Sequence, residues 1–127
     1  MLAGARFLVS PVLDEAVVAE ARELGAVAMP GVHTPTEMWR AHQAGAPVLK
    51  LFPAPAGGPD YLRAVRGPLP DLKIVPTNGV SEANARDYLD AGAFAVAFNT
   101  ALFPPDALTQ ARWDEVEGRA RALLAAL

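Results

Sequence analysis

The chain contains no cysteine among its 127 residues. Disulfide bonds, thiolate nucleophiles and cysteine-ligated metal sites are therefore excluded. The only two histidines are His33 and His42, and His42 falls within a predicted helix, so the pair lacks metal-ligand spacing. We expect no metal site.

Long apolar runs are also missing. None approaches the roughly 20 residues that a membrane-spanning helix needs, and the amino-terminal segment holds too short an apolar stretch for a secretory signal. We therefore expect a cytoplasmic protein with no membrane partner.

The chain also lacks a surplus of positive charge. The formal net charge is −3, with acidic and basic side chains interspersed along the chain. A nucleic-acid surface needs a concentrated basic face, so no nucleic-acid partner is expected. Apolar residues make up 52% of the chain, enough for a packed core, and the length suits a single domain over residues 1–127.

Short apolar runs alternate with helical patterns along this domain. The predicted strands are 7–9, 27–29, 48–52, 74–76 and 93–98, and the predicted helices are 14–24, 34–44, 60–66, 81–90 and 106–127, the last in two pieces. This alternation is typical of consecutive β/α units, which give a parallel sheet with every strand's carboxyl end on one side.

Five such units are too few for a complete (β/α)8 barrel, which usually takes about 250 residues. The chain is therefore either an open α/β sheet or the later part of a barrel. We predict a partial barrel of about five parallel β/α units, with the N-terminal part absent.

Lys50 is the most informative residue of the chain. It lies inside the apolar run Val48–Phe52, and the only other lysine, Lys73, has an ordinary place beside Asp71. A buried strand disfavours the charged ammonium, and the neutral amine is the nucleophile that a Schiff base requires. The alternative is a strand-end lysine whose ammonium reaches solvent along an apolar stem.

The predicted carboxyl ends of the strands carry polar residues, glycine or proline. In α/β folds, the loops at these ends hold the functional site. The segments at these ends are Ser10-Pro11, Pro30-Gly31-Val32-His33-Thr34, Phe52-Pro53, Thr77-Asn78-Gly79 and Asn99-Thr100. The turn from Thr77 to Ser81, with Ser81 as a helix cap, offers backbone N–H groups to a phosphate or carboxylate. An ordinary capped turn is the alternative.

His33 and Glu37 flank the start of the second predicted helix. His33 lies at the rim, where it contacts either a ligand or only solvent. Thr34, Pro35 and Glu37 form the pattern of a capping box, so capping explains Glu37 better than acid–base chemistry does.

Taken in order, four segments resemble the pyruvate-dependent aldolases that cleave 2-keto-3-deoxy-6-phosphogluconate and 4-hydroxy-2-oxoglutarate. They are Phe7-Leu8-Val9-Ser10-Pro11, Pro30 to Glu37, Leu49-Lys50-Leu51-Phe52-Pro53-Ala54 and Pro76-Thr77-Asn78-Gly79-Val80. The resemblance implies that Lys50 is the Schiff-base lysine of the sixth barrel strand. It further implies substrate-binding positions, namely Pro11 near the pyruvate end, Phe52 and Thr77 in the pocket, and Gly79 and Thr100 near a phosphate.

The chain resembles only strands four to eight of that family. The family's general acid/base glutamate, and the arginine and threonine that hold the pyruvate carboxylate, belong to the first three strands. Asn78 stands where a second glycine is usual, Val12 replaces a glycine, and Phe98-Asn99-Thr100 replaces a glycine-rich phosphate turn. We count Asn78 with the substrate-binding turn and treat His33 as a further substrate contact and a substitute proton carrier.

The implied activity is that of a class I aldolase acting on a small 2-keto acid, without metal or other cofactor. Because the family forms trimers, the resemblance implies a homo-oligomer. The competing hypothesis is a non-catalytic, truncated or degenerate half barrel that binds an anion or serves as an assembly module.

Overall fold

The computed structural model describes residues 4–127, which form an α/β fold. In chain order the elements are β1 (Phe7–Val9), α1 (Glu15–Glu23), β2 (Val27–Met29), β3 (Gly31–Val32), α2 (Pro35–Gln43), β4 (Leu49–Leu51), α3 (Gly58–Arg66), β5 (Ile74–Pro76), α4 (Ala85–Asp90), α5 (Pro105–Thr109) and α6 (Trp113–Ala125). None of the helices in residues 4–127 combines the length and apolar character needed to cross a bilayer.

Every strand pairing is parallel, as predicted. β1 pairs with β2, and β4 lies between β3 and β5. β2 and β3 are successive parts of one extended segment, interrupted at Pro30 because proline has no N–H to donate to a ladder. The Pro30 carbonyl still accepts a hydrogen bond from the Lys50 N–H, at 2.9 Å. The two sheets, β1–β2 and β3–β4–β5, are therefore joined through this segment, and the strands follow one another across them in chain order.

The predicted strand at 93–98 is wrong as a regular strand. Only a single bridge, Thr77 to Ala97, is formed. Phe94 N–H donates to the Ile74 carbonyl and Ala97 N–H to the Pro76 carbonyl. The donors are three residues apart while the acceptors are two apart, so one extra residue breaks the ladder as a bulge does.

The core lies between one face of the sheet and the helices. Leu49, Leu51 and Ile74 of the sheet are at most 1% exposed, and Met38 and Leu62 of the helices are fully buried against them. Side chains alternate between the faces of a strand, so Lys50, between Leu49 and Leu51, points to the opposite face. We call this opposite face the inner face of the sheet.

The inner face is apolar and open towards its β1 end. Phe7, Val9 and Val27 are exposed there by 66%, 46% and 43%, respectively. Phe7 is in register with Val27 across the β1–β2 pair. An apolar surface of this kind usually marks a place where another element packs.

Candidate active site

Lys50 lies at the centre of β4, in register with Gly31 of β3 and Val75 of β5. The residue is half-buried, and its Nζ lies 4.5 Å from the ring centroid of Phe52. Among the ion pairs of residues 4–127, none includes Lys50. The amine thus stands on the inner face against an aromatic ring, without a carboxylate partner in the described chain.

Pro11 is brought against the strand next to Lys50. A Cβ at Gly31 would lie 2.1 Å from the Pro11 carbonyl oxygen, so only glycine permits this approach. The predicted residue Pro11 therefore lies beside the register neighbour of Lys50.

The segment after β4 is tied to the turn after β5. Ala54 N–H donates to the carbonyls of Thr77 and Asn78, at 2.9 and 3.1 Å. Thr77 is 7% exposed, and Asn78 takes a positive φ of 58°, which is uncommon outside glycine. Gly79 follows with φ 122°, close to Ala54. These contacts bring the predicted residues Thr77, Asn78 and Gly79 next to the loop that carries Phe52.

The predicted helix cap at Ser81 is wrong. α4 begins only at Ala85 and has six residues, with no side-chain cap. The Ser81 carbonyl still accepts the Ala85 N–H at 2.9 Å, while Asn84 Oδ1 accepts the Ser81 N–H at 2.8 Å and Asn84 Nδ2 donates to the Gly79 carbonyl at 3.0 Å. One N–H that the sequence offered to an anion is thus already bonded within the protein.

Thr100 is not joined to the other candidates. It is exposed beyond the Ala97 bridge, in a turn whose Asn99 carbonyl accepts the N–H groups of Leu102 and Phe103. Among the hydrogen bonds of the described residues, none links Thr100 to the Lys50 surroundings. Its role in binding stays a prediction.

His33 is held by contacts on both its backbone and its ring. Its Nδ1 lies 3.1 Å from the Pro53 carbonyl oxygen, and its backbone N–H donates to Glu37 Oε2 at 2.9 Å. Its own carbonyl accepts the hydroxyl of Tyr61, whose ring stacks on the imidazole with centroids 6.0 Å apart. Sequence reasoning missed Tyr61, because no local pattern joins it to His33 across 28 positions.

Glu37 completes the predicted capping box. Its Oε2 accepts from the N–H and hydroxyl of Thr34, at 2.7 and 2.9 Å, while Thr34 Oγ1 accepts the Glu37 N–H. The backbone hydrogen bond from Thr34 is the main cause that lowers the pKa of Glu37, and that from His33 adds to it. A carboxylate held ionised in this way is a poor proton carrier near neutral pH.

Burial is the main cause that raises the pKa of Tyr61, and the nearby Glu37 carboxylate raises it further. The phenol therefore stays protonated well above neutral pH. It can act as the donor that its contact with the His33 carbonyl requires.

A cleft of about 560 Å³ opens between the ends of β1 and β3, and it contains three of the predicted residues, Pro11, His33 and Phe52. The ion pair from Arg40 to Glu15, at 2.7 Å, crosses from α2 to α1 beside it. Lys50 is not among the residues that line the cleft, although its register partner Gly31 and the nearby Phe52 are. Within the described part of the chain, no three carboxylates or histidines converge as metal ligands would.

The KDPG and KHG aldolase family matches residues 1–118 of the chain. A probable 2-dehydro-3-deoxy-6-phosphogalactonate aldolase of Rhizobium meliloti is 43% identical over 124 residues, which cover 97% of this chain and 57% of that protein. The KHG/KDPG aldolase of Escherichia coli K12 is 37% identical over 120 residues, covering 94% and 56%.

Solved structures agree with these relatives. The KDPG aldolase of Legionella pneumophila, with pyruvate captured as a covalent carbinolamine, superposes with a TM-score of 0.86 at 28% identity, covering 96% of this chain and 60% of that one. The chain thus spans a little over half the length of the relatives that it matches. The resemblance noted from the sequence motifs is confirmed, and the chain belongs to the KDPG and KHG aldolase family.

Proposed function

We propose that this chain carries the nucleophile of a class I aldolase, which cleaves a 2-keto-3-deoxy-6-phosphogluconate or 4-hydroxy-2-oxoglutarate type of substrate into pyruvate and an aldehyde. The observation that supports this most is the place of Lys50. Its amine stands on the inner face of a parallel sheet, between Gly31 and Val75 and over the Phe52 ring, near three strand ends. Family membership favours this hypothesis over a non-catalytic half barrel.

The reaction begins when the neutral Lys50 amine adds to the C2 ketone, giving a carbinolamine that loses water to an iminium. The C3–C4 bond then breaks, and its electron pair moves to the iminium nitrogen to give an enamine. The C4 hydroxyl loses its proton to a base as the aldehyde forms. Protonation of the enamine at C3 and hydrolysis release pyruvate and restore the lysine.

That base is not Glu37, whose carboxylate is occupied by the capping box. The family resemblance assigns acid–base catalysis to a glutamate in the first three barrel strands, which this chain does not resemble. Proton transfer at C3 and C4 therefore depends on those strands in our proposal.

Substrate binding is assigned to two groups of residues. Pro11 and Phe52, beside Lys50, would contact the keto acid end. Thr77, Asn78 and Gly79 form the turn that Ala54 ties to the Lys50 strand, and they would contact the rest of the substrate. Thr100 would lie near a distal phosphate, by resemblance alone. His33 stands in the wall of the cleft, and a substrate contact there stays a prediction.

We further propose that residues 1–127 correspond to the later part of a (β/α)8 barrel and that further β/α units pair with the open edge of β1. The exposed apolar side chains of Phe7, Val9 and Val27 support this, because those units would cover them. The units would come from the same polypeptide or from another. Self-association, as a trimer in the family, is the accompanying proposal.

Trapping with pyruvate tests the nucleophile directly. The protein is incubated with pyruvate and borohydride, and the reduced adduct is located by peptide mass mapping. We expect label on Lys50 and none on Lys73, which serves as an internal control. A folded protein that takes no label on Lys50 would contradict the proposal and favour the non-catalytic alternative.

A further inference from the structure

The loop that follows the Lys50 strand, residues 52–54, is held from two sides. On one side Ala54 N–H donates to the carbonyls of Thr77 and Asn78. On the other side the imidazole of His33 reaches the Pro53 carbonyl, with Nδ1 3.1 Å from the oxygen. The loop is thus fastened to the ends of both strands that flank β4.

The chemistry of the second contact defines the proton on His33. A carbonyl oxygen only accepts hydrogen bonds, so the contact requires a hydrogen on Nδ1. Both the neutral Nδ1–H tautomer and the imidazolium provide it. The fastening is therefore present in either charge state of the ring.

His33 is itself fixed by two helices. Glu37 of α2 accepts its backbone N–H, and Tyr61 of α3 donates its hydroxyl to the His33 carbonyl and stacks on the ring. The backbone of His33 is therefore fixed at both its N–H and its carbonyl, and its imidazole is bonded at Nδ1 and lies beside the Tyr61 ring. His33 is thus suited to hold the Pro53 carbonyl in one place.

The contact between His33 and Pro53 is connected to the Lys50 amine through Phe52. Pro53 directly follows Phe52, and the ring of Phe52 lies 4.5 Å from Lys50 Nζ. We propose that His33 is a positioning residue, which sets the place of Lys50 Nζ through Pro53 and Phe52. This inference rests on the proposed Schiff-base function of Lys50.

Two substitutions separate the parts of this contact. His33→Asn keeps an N–H donor near the Nδ1 position and loses the aromatic stack, whereas His33→Phe keeps the stack and loses the donor. His42→Phe, at an exposed position on α2 beside Trp39, is the matched control. The readout is the rate of reductive trapping of pyruvate on Lys50, measured against pH and pyruvate concentration.

We expect His33→Phe to slow trapping at saturating pyruvate by about tenfold, since a displacement of about 1 Å can cost up to a hundredfold. His33→Asn should stay within about threefold of the wild-type rate and keep its pH profile, because one hydrogen bond to the loop remains. His42→Phe should leave the rate unchanged. Circular dichroism and thermal melts establish that each variant is folded.

If Lys50 of the wild-type protein takes the label, two results would overturn the inference. Equal rates for wild type and His33→Phe would show that the Pro53 contact does not position the amine. A His33→Asn variant as slow as His33→Phe, with an altered pH profile, would show that the imidazole itself carries a proton or binds substrate.

If the wild-type protein takes no label, the proposed function fails, and nuclear magnetic resonance decides the positioning separately. Nuclear Overhauser contacts between the Phe52 ring and the Lys50 side chain should then persist in His33→Asn and weaken in His33→Phe. Contacts that are unchanged in His33→Phe would overturn the inference.

Discussion

Lys50 and Lys73 are the only lysines of the chain, and both place their amines over a phenylalanine ring. The distance to the centroid is 4.5 Å for Lys50 over Phe52 and 5.3 Å for Lys73 over Phe94. A cavity of about 300 Å³ also borders Lys73. An aromatic contact and a nearby cavity therefore do not distinguish the two amines.

The positions of Lys50 and Lys73 along their strands distinguish the two amines. Lys50 lies inside β4 and is half-buried, two residues before the loop at the carboxyl end. Lys73 is exposed and precedes β5, at the amino end, where helix-to-strand turns such as Gly45 to Pro47 line the cavity. In parallel α/β folds the ligand-binding loops follow the carboxyl ends of the strands. Only Lys50 stands near them.

The largest expected effect comes from exchanging each lysine for the uncharged side chain of methionine. Lys50→Met should abolish pyruvate trapping, since the amine that forms the Schiff base in our proposal is removed, while Lys73→Met should keep the full yield. Peptide mapping after borohydride reduction measures both. Label on Lys73 in Lys50→Met, or loss of label on Lys50 in Lys73→Met, would contradict the distinction between the two ends of the sheet.

A second test concerns the close packing beside Lys50. Gly31→Ala places a methyl group 2.1 Å from the Pro11 carbonyl oxygen, so backbone has to move. We expect a loss of about 3 kcal/mol in the free energy of unfolding, measured by urea titration. Gly118→Ala, within α6 and with nothing within 4 Å, should instead add about 0.5–1 kcal/mol through helix propensity. An unchanged Gly31→Ala protein would show that Pro11 is not packed there.

The parts of this site that depend on near neighbours in sequence could be predicted. The alternation Leu49-Lys50-Leu51 alone turns the lysine away from the core, and Thr34 and Glu37 are close enough to define a capping box. The strand order follows from the β/α alternation, because parallel crossovers leave few arrangements.

Contacts between distant residues could not be predicted. Ser81 has the chemistry of a cap, but Asn84 bonds its N–H and the helix begins later. The extra residue between Phe94 and Ala97 is defined by the pairing with β5. The apolar run 93–98 does not by itself indicate where that pairing becomes irregular. The hydrogen bonds from Tyr61 to His33 and from His33 to Pro53 join three segments of the chain, and no local sequence pattern predicts them.

A smaller effect is expected from removing each aromatic ring. Phe52→Ala should raise the pyruvate concentration for half-maximal trapping about fourfold, since the ring beside Nζ is an apolar wall of the proposed pyruvate site and burying one methyl or methylene group contributes about 0.8 kcal/mol. Phe94→Ala should leave that concentration unchanged, because its ring lies over Lys73, at the other end of the strands, and is more than half exposed. Equal shifts in both variants would indicate a general loss of packing in place of a local role.

The smallest effect concerns the helix start that carries His33. The pKa of Glu37 is lowered from its ordinary 4.5, so its carboxylate stabilises the fold fully above that pH and loses this contribution as pH falls through the lowered value. Glu37→Gln should therefore lower stability by about 0.5–1 kcal/mol at neutral pH, as charges at helix N-termini do, and by nothing in strong acid. Thermal melts of both proteins from neutral to acid pH measure the difference. Glu20→Gln, on the exposed face of α1, is the control, and a Glu37 effect that persists unchanged in acid would show that the carboxylate charge is not its cause.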